Sequence, residues 1–190
     1  MNKPVQKRSL ATRAKLIESA REIIASDGFS ALRVEQVVQN AGVAKGTFFA
    51  HFRDKDALME IIIGAKIDAC LDTLESLPQP TTVDTLIGHL MPLIQFMTCE
   101  RYVFDLIIRH SGAAAKDEIG PVARTFERQI TVFAQWFSTG PFRKDVSPVI
   151  LAEGIQAFAI QSMALDFCSI NSEDPVDKRL TKYLDAWLCR

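Results

Sequence analysis

The chain has 190 residues, of which 48% are apolar and 24% charged, and its net charge at pH 7 is −1. This composition excludes a disordered chain and is typical of a globular protein with one domain or two small ones. The polar, basic start of the chain has no apolar signal segment, and the four cysteines have no CxxC spacing. We therefore expect reduced thiols and a cytoplasmic location.

Charge is distributed unevenly along the chain. Residues 1–55 contain ten Lys or Arg and five Asp or Glu, a net charge of about +5, and the remaining residues carry about −6. A DNA-facing end attached to a body that faces away from DNA would have this asymmetry, although a solvated charged surface would have it too.

The first predicted helix extends from about Thr12 to Asp27, with Ser9 or Thr12 as its N-cap and Gly28 after its end. The apolar stripe along one of its faces consists of Leu16, Ala20, Ile23 and Ile24. The basic residues before the helix are expected to form a loose arm: Lys3, Lys7 and Arg8.

The next segment, residues 34–52, predicts two short helices joined by a tight turn. Apolar residues recur at helical spacing from Val34 to Ala41, and Gly42 stands where the first helix ends. The second helix begins at Ala44 or Lys45 and buries Phe48 and Phe52. Its other face exposes polar and small residues, namely Lys45, Gly46, Thr47 and His51. Such a helix fits the DNA major groove, although an ordinary helical hairpin in an all-α core has the same pattern.

This segment resembles the N-terminal DNA-binding domain of the TetR family of bacterial transcriptional regulators. The matching residues, within about a third of the chain, are Ala41-Gly42-Val43, Lys45-Gly46-Thr47, His51-Phe52, Lys55 and Leu58. Four positions depart from the family pattern: Arg33 and Ala44 replace helix-capping residues, Val38 replaces a small Ala, and Phe49 replaces a Tyr that usually contacts a DNA phosphate. The apolar spacing, the turn glycine and the basic residues are retained.

The resemblance implies roles for individual residues on a palindromic double-stranded DNA operator. Lys45 and Thr47 would read base edges. Ala44 would lie at the DNA just before them, and Gly46 would let the backbone approach the DNA. The residues that would contact the sugar–phosphate chain are Arg33, Phe49, His51 and Lys55.

The rest of the chain predicts six more helices and no convincing strand, so the expected fold class is all-α with about nine helices. The helices extend over 55–77, 83–99, 101–110, 121–138, 148–170 and 175–189, and Pro92 is expected to break or kink the second of them. The predicted caps and stops of these helices are Asp54, Thr81 or Thr82, Ser111-Gly112, Ser147 and Asp174. In the helix over 55–77, the residues expected to face inward are Leu58, Ile61, Ile62, Ala65, Leu71 and Leu74. We expect a helix-turn-helix domain at 1–54 and a helical effector-binding and dimerisation domain at 55–190.

The last two helices have apolar faces that a monomer core would also explain. In the TetR family the last two helices pair with their copies, and the resemblance therefore implies a homodimer. The residues expected at this interface are Gly154, Ala157, Phe158, Leu165, Leu180, Tyr183, Leu184 and Trp187.

The middle helices would enclose a pocket for a small apolar or amphipathic effector. Candidate lining residues, each of which could equally be plain core, are Phe96, Met97, Tyr102, Phe104, Ile107, Phe126, Gln129, Phe133, Trp136, Phe158 and Gln161. Arg109 and His110 could orient an anionic ligand or be exposed to solvent.

These features predict a ligand-responsive, homodimeric repressor of bacterial transcription that is cytoplasmic and nucleoid-associated. The alternative is a DNA-bound adaptor regulated by a protein partner without a small-molecule effector. We find no arrangement of nucleophile and base, no phosphate-binding loop and no metal-ligand spacing, so we expect no enzymatic activity, cofactor or metal. The apolar stretch around 155–167 is interrupted by polar residues and predicts a buried helix rather than a membrane span.

Overall fold

The structure is a computed structural model that describes residues 3–111, 119–168 and 174–189. Within these ranges all regular structure is helical, as predicted. The nine helices are α1 (Lys3–Asp27), α2 (Val34–Ala41), α3 (Lys45–His51), α4 (Lys55–Ser76), α5 (Val83–Met97), α6 (Arg101–His110), α7 (Pro121–Thr139), α8 (Pro148–Asp166) and α9 (Val176–Leu188).

The helices α1 to α3, here called the head, share a small apolar core. Apolar side chains from all three helices and from the α1–α2 turn are buried together: Leu16, Ala20, Leu32, Val37 and Phe48. Helix α2 contacts both α1 and α3, and α1 also contacts α4. The head is therefore a unit whose core includes the apolar face of α3.

The first helix begins nine residues earlier than predicted, at Lys3 rather than Thr12. Thr12 is inside the helix, where its hydroxyl donates to the carbonyl oxygen of Arg8 at 3.0 Å, so neither Thr12 nor Ser9 is a cap. The expected loose arm is also wrong, because Lys3, Lys7 and Arg8 belong to α1. Most residues between Val5 and Thr12 are good helix formers, and the only proline lies in the first turn, where it is tolerated.

Helices α4 to α9, here called the body, form the larger core. Helix α7 contacts α4, α6 and α8, while α9 contacts α5 and α8. Because α4 is packed on more than one side, its buried face is broader than predicted. Ile63 and Ile67 are fully buried, whereas Ile61 is half-buried and Ala65 is exposed.

Three predicted helix caps are confirmed. Backbone amides donate to the side chains of Asp54 at 2.7 Å, Thr82 at 3.1 Å and Ser147 at 3.3 Å. Asp174 is not a cap, because its carboxylate accepts from the Lys182 ammonium at 2.7 Å instead. Pro92 does not break α5, and it faces solvent, where water can hydrate the carbonyl that loses its partner.

Two predicted helix ends involve residues outside the described ranges. Helix α6 ends at His110 before Ser111, but Gly112 lies outside. Helix α8 ends at Asp166, four residues before the predicted end at Ile170, which is also outside the described ranges.

Helix α8 is long and apolar enough, by length and composition alone, to cross a membrane. In this structure it packs between α7 and α9. Its side chains Leu151, Ala152, Ile155 and Met163 are buried against the body. A core helix of a globular domain has the same composition, so this helix is weak evidence for a membrane span.

Candidate nucleic-acid interface and body cavity

The turn between α2 and α3 depends on Gly42. Its φ of +64° is in the left-handed region, which a residue with a Cβ adopts only with strain. The Gly42 amide donates to the Gln39 carbonyl at 3.1 Å, and the Val43 amide donates to the Val38 carbonyl at 3.0 Å. These bonds end α2 and direct the chain into α3.

Helix α3 has one buried face and one open face. The Phe48 ring is fully buried and lies 5.4 Å from the Phe52 ring. On the other side Lys45 and Gly46 are exposed, and no atom lies within 4 Å of the position that a Cβ on Gly46 would occupy. Phe49 is 50% exposed. The polar edge of α3 is therefore free to approach another molecule.

The Lys45 ammonium is nevertheless paired within the head. It lies 2.5 Å from a carboxylate oxygen of Glu35 on α2, and both side chains are largely exposed. The hydrogen bond from Lys45 lowers the pKa of Glu35, so the carboxylate stays ionised. An external anion must compete with Glu35 for this ammonium.

Arg33 is folded back onto the turn that precedes α2. Its guanidinium donates to three consecutive carbonyls, those of Ser30, Ala31 and Leu32, at 2.9, 3.1 and 3.1 Å. Its backbone amide donates to the Gln36 side chain at 3.1 Å. In this arrangement Arg33 stabilises the turn, and a phosphate contact would require its side chain to move.

Arg13, which the sequence interpretation did not single out, supports the end of α3. Its guanidinium donates to the His51 carbonyl at 2.8 Å and lies 4.5 Å from the centre of the Phe52 ring. His51 itself is half-exposed, as is Thr47. The sequence contained one signal for this role: Arg13 precedes Leu16 by three positions, which places a cation beside the apolar stripe of α1.

Lys55 is the first residue of α4, at the point where the body begins, and it contacts α6. Its ammonium is 4.4 Å from the centre of the Tyr102 ring, and burial lowers the pKa of Lys55. The Tyr102 hydroxyl donates to the Asp56 carboxylate at 2.7 Å. The same carboxylate also forms an ion pair with Arg109 at 3.0 Å. Tyr102, a candidate effector residue, therefore binds the start of α4. Arg109, for which an anionic ligand and solvent exposure were both open, binds there as well.

One contact joins the body to the α1–α2 turn through Glu100. Its carboxylate accepts from the backbone amides of Phe29 at 2.6 Å and Ser30 at 2.9 Å, and from the Ser30 hydroxyl. Burial opposes ionisation of Glu100, but these bonds outweigh it and hold its pKa below the ordinary value. The Phe29 and Phe96 rings pack beside it, 6.1 Å apart. Within the body, the Nδ1 atom of His110 lies 3.0 Å from a carboxylate oxygen of Glu60 and so links α6 to α4. We call the contacts of Glu100 and Phe96 with the α1–α2 turn the head–body junction.

A small cavity of about 20 Å³ lies between α5, α7 and α8. Four predicted effector residues line it, namely Met97, Phe126, Gln129 and Phe133. The other lining residues are Leu90, Leu93, Ile94, Ile155, Gln156, Ala159, Ile160 and Met163. Its volume is about that of one water molecule, so a larger ligand must widen it.

The remaining predicted effector residues are elsewhere. Phe96 belongs to the head–body junction, and Tyr102 binds Asp56 at the start of α4. Phe104 packs against Phe167 with ring centres 5.3 Å apart, and Gln161 is exposed. Phe158 packs against α9, and two further candidates are buried without lining the cavity: Ile107 and Trp136. Spacing along one helix identified apolar residues but could not show which side of that helix faces the cavity.

The predicted dimer residues divide into two groups. Leu180 and Leu184 are fully buried inside the protomer, and a Cβ on Gly154 would lie 2.3 Å from the Trp187 indole, so Gly154 serves the contact between α8 and α9. The two leucines are corrections, because their side chains are not available to a second copy, whereas Gly154 is half-buried and its place at a dimer interface stays a prediction. Residues that keep exposed surface are Ala157, Phe158, Leu165, Tyr183 and Trp187.

Comparison with known proteins agrees with this geometry. Residues 16–62, which extend from the middle of α1 into α4, match the family model for bacterial regulatory proteins of the tetR family. The N-terminal part of this chain is a TetR-family DNA-binding domain. TetR-family regulators are DNA-binding transcription regulators of the helix-turn-helix type, and α3 is the second helix of that motif here.

Relatives of this chain are distant in sequence. The Mycobacterium sp. repressor DhaR is 24% identical over 93% of this chain and 92% of its own length. The regulator YvdT of Bacillus subtilis is 25% identical over 65% of this chain, and the match spans 60% of its own length.

Solved structures share the whole fold. Thermus thermophilus FadR, a TetR-family repressor solved with lauroyl-CoA, has a TM-score of 0.66 at 17% identity and covers 92% of both chains. RolR, solved with resorcinol, has a TM-score of 0.68 at 19% identity and covers 95% of this chain and 89% of its own.

Proposed function

We propose that this protein is a homodimeric transcriptional repressor that acts in the bacterial cytoplasm and leaves a palindromic operator when a small molecule binds its body. The observation that carries the proposal is the open edge of α3. Lys45, Gly46 and Thr47 stand on a helix whose other side is anchored by the buried Phe48 ring. A positive polar edge on a rigid short helix is suited to base edges in the major groove.

Two copies are needed because α3 has only seven residues. One such helix reads too few base pairs for specificity, whereas a two-fold dimer places two of them about one DNA turn, roughly 34 Å, apart. The exposed apolar side of α8 and α9 suits pairing, since Val149 and Ile150 are each 49% exposed. On the same helices Phe158 packs against Tyr183 and Trp187. We place the dimer contact there.

The effector would act through the head–body junction. The cavity is lined partly by α5, and the short segment after α5 leads to Glu100, which holds the α1–α2 turn. Widening the cavity would move α5 and with it the position of each head. A ligand changes the spacing of the heads only to the extent that it binds the two arrangements with different affinity.

The chemistry of the cavity lining supports a small-molecule effector rather than the adaptor hypothesis, because the lining is apolar with two amide side chains. At about 20 Å³, the cavity must widen to admit such a ligand. FadR and RolR were solved with chemically different ligands, lauroyl-CoA and resorcinol, so they do not indicate which molecule binds here.

Selection of bound fragments from random double-stranded DNA tests the proposal. We expect enrichment of a two-fold symmetric sequence and loss of binding in the Gly42→Val variant, whose β-branched residue cannot adopt the φ of +64° without strain. Enrichment of no sequence, or equal enrichment with that variant folded, would contradict it.

A further inference from the structure

The cavity between α5, α7 and α8 contains one buried polar group without a hydrogen-bond partner. The Nε2 atom of Gln129 is buried and has no hydrogen-bond partner, and Gln129 as a whole is 4% exposed. Among the described residues that line the cavity, this is the only buried side-chain nitrogen or oxygen in that condition.

Neighbouring hydrogen bonds determine which end of the Gln129 amide, the oxygen or the nitrogen, lacks a hydrogen-bond partner. The Gln156 Nε2 atom donates to the Phe126 carbonyl at 3.0 Å, and a carbonyl can only accept, so the NH₂ end of Gln156 must lie there. The same NH₂ group donates to Gln129 Oε1 at 3.4 Å. Gln129 therefore turns its oxygen toward Gln156, and its two N–H groups remain as donors.

A buried donor without a partner is costly, and native proteins seldom leave one unless another molecule supplies the acceptor. The rest of the lining is apolar and contains no charged side chain among the described residues. An ionised ligand group would lose its hydration there without a counter-charge. Met97 and Met163, which have flexible unbranched side chains, are the residues best able to make room.

We propose that the cavity binds a small, neutral, largely apolar carbonyl compound whose oxygen accepts a hydrogen bond from Gln129 Nε2. This inference rests on the proposed effector role of the same cavity. The amide pair acts as a polarity filter, because Gln156 is occupied by the Phe126 carbonyl and only the donor of Gln129 is left for the ligand.

Three probes of similar size test the filter by titration calorimetry on the full-length protein. Acetophenone has a neutral carbonyl, ethylbenzene has none, and benzoate is anionic. We expect wild type to bind acetophenone about 3- to 10-fold more tightly than ethylbenzene and not to bind benzoate measurably. Gln129→Leu should abolish the preference for acetophenone while keeping ethylbenzene affinity, and Gln95→Leu, at an exposed glutamine of α5, should behave as wild type.

A signal at Gln129 itself provides the second readout. In NMR spectra, the side-chain amide resonance of Gln129 is identified as the one that is missing from Gln129→Leu. This resonance should shift when acetophenone binds and should stay in place when ethylbenzene binds to the same occupancy. Tightest binding of benzoate, an unchanged preference in folded Gln129→Leu, or no binding of either neutral probe to wild type would overturn the proposal.

Operator binding separates this inference from the proposed function. If acetophenone binds through Gln129 but does not release DNA, the ligand class stands and the effector role fails. If the protein binds a symmetric operator but neither neutral probe, the ligand class fails and DNA binding stands.

Discussion

The head and the body use similar helices, but they differ in how far apart their partners lie along the chain. In the head, Gly42, Phe48 and Phe52 act within eleven residues of one another, and the decisive geometry is local. In the body, the contacts that position the head join residues such as Glu100 and Ser30, seventy positions apart. A local motif can be identified from its spacing, whereas a distant contact requires the fold.

The largest expected effect distinguishes the two faces of α3. Phe48→Ala removes a fully buried ring from the head core and should lower the free energy of unfolding by about 3 to 5 kcal/mol. Phe49→Ala, at the adjacent half-exposed ring, is the matched control and should change it by less than about 1 kcal/mol. Chemical denaturation measures both, and equal losses would contradict the assignment of the faces.

The corresponding test in the body is Gly154→Ala. The added Cβ would lie 2.3 Å from the Trp187 indole, so α8 and α9 must separate or the ring must move. We expect a loss of about 1 to 3 kcal/mol in unfolding free energy. The control is Gly88→Ala, where a Cβ would meet nothing within 4 Å. A stability of Gly154→Ala equal to that of the control would show that this contact is loose.

Lys45→Ala should weaken binding to the selected operator by about 1 to 3 kcal/mol and relax the sequence preference at one position of each half-site. Lys66→Ala, which removes an exposed cation on α4 far from the α3 edge, should have no such effect. Gel shifts against operator variants measure this. An identical loss on every sequence would mean that Lys45 contacts only phosphate.

Glu100→Gln should weaken the head–body junction by about 1 kcal/mol, because charge-assisted bonds to the α1–α2 turn become neutral ones. The pKa of Glu100 is below its ordinary value near 4.5, so its contribution is complete above that value and is lost as the pH falls through the lower folded pKa. Stability measured between pH 3 and 6 should therefore fall less steeply in the variant, and parallel curves would contradict this.

The smallest effect is expected for Glu35→Gln. Removing the carboxylate frees the Lys45 ammonium and deletes a negative charge beside α3, so operator affinity should rise about 2- to 5-fold at low salt. Glu18→Gln, on the exposed face of α1, is the control. A fall in affinity would mean that Glu35 positions Lys45 rather than competing with DNA.

These contrasts explain what could be predicted from the sequence. The all-α class, the turn at Gly42 and the caps at Asp54, Thr82 and Ser147 depend on neighbours within four positions, and they are confirmed. The head–body junction was missed because Glu100 has no local feature that points to the α1–α2 turn.

Only a third of the cavity lining was predicted, for the same reason. Met97, Phe126, Gln129 and Phe133 lie on its walls, whereas Gln161 lies on the outside of α8. Gln156 was overlooked because its role depends on the Phe126 carbonyl and on Gln129, thirty and twenty-seven positions away. Helical spacing distinguishes faces of one helix but does not show which neighbour each face meets.

Methylation protection of guanine N7 atoms in the selected operator tests most directly whether two α3 edges enter the DNA. The N7 atoms lie in the major groove, so we predict protection in two symmetric patches centred about 10 base pairs apart, with Lys45→Ala removing it in both. Protection of a single patch, or protection that persists unchanged in Lys45→Ala, would contradict the account.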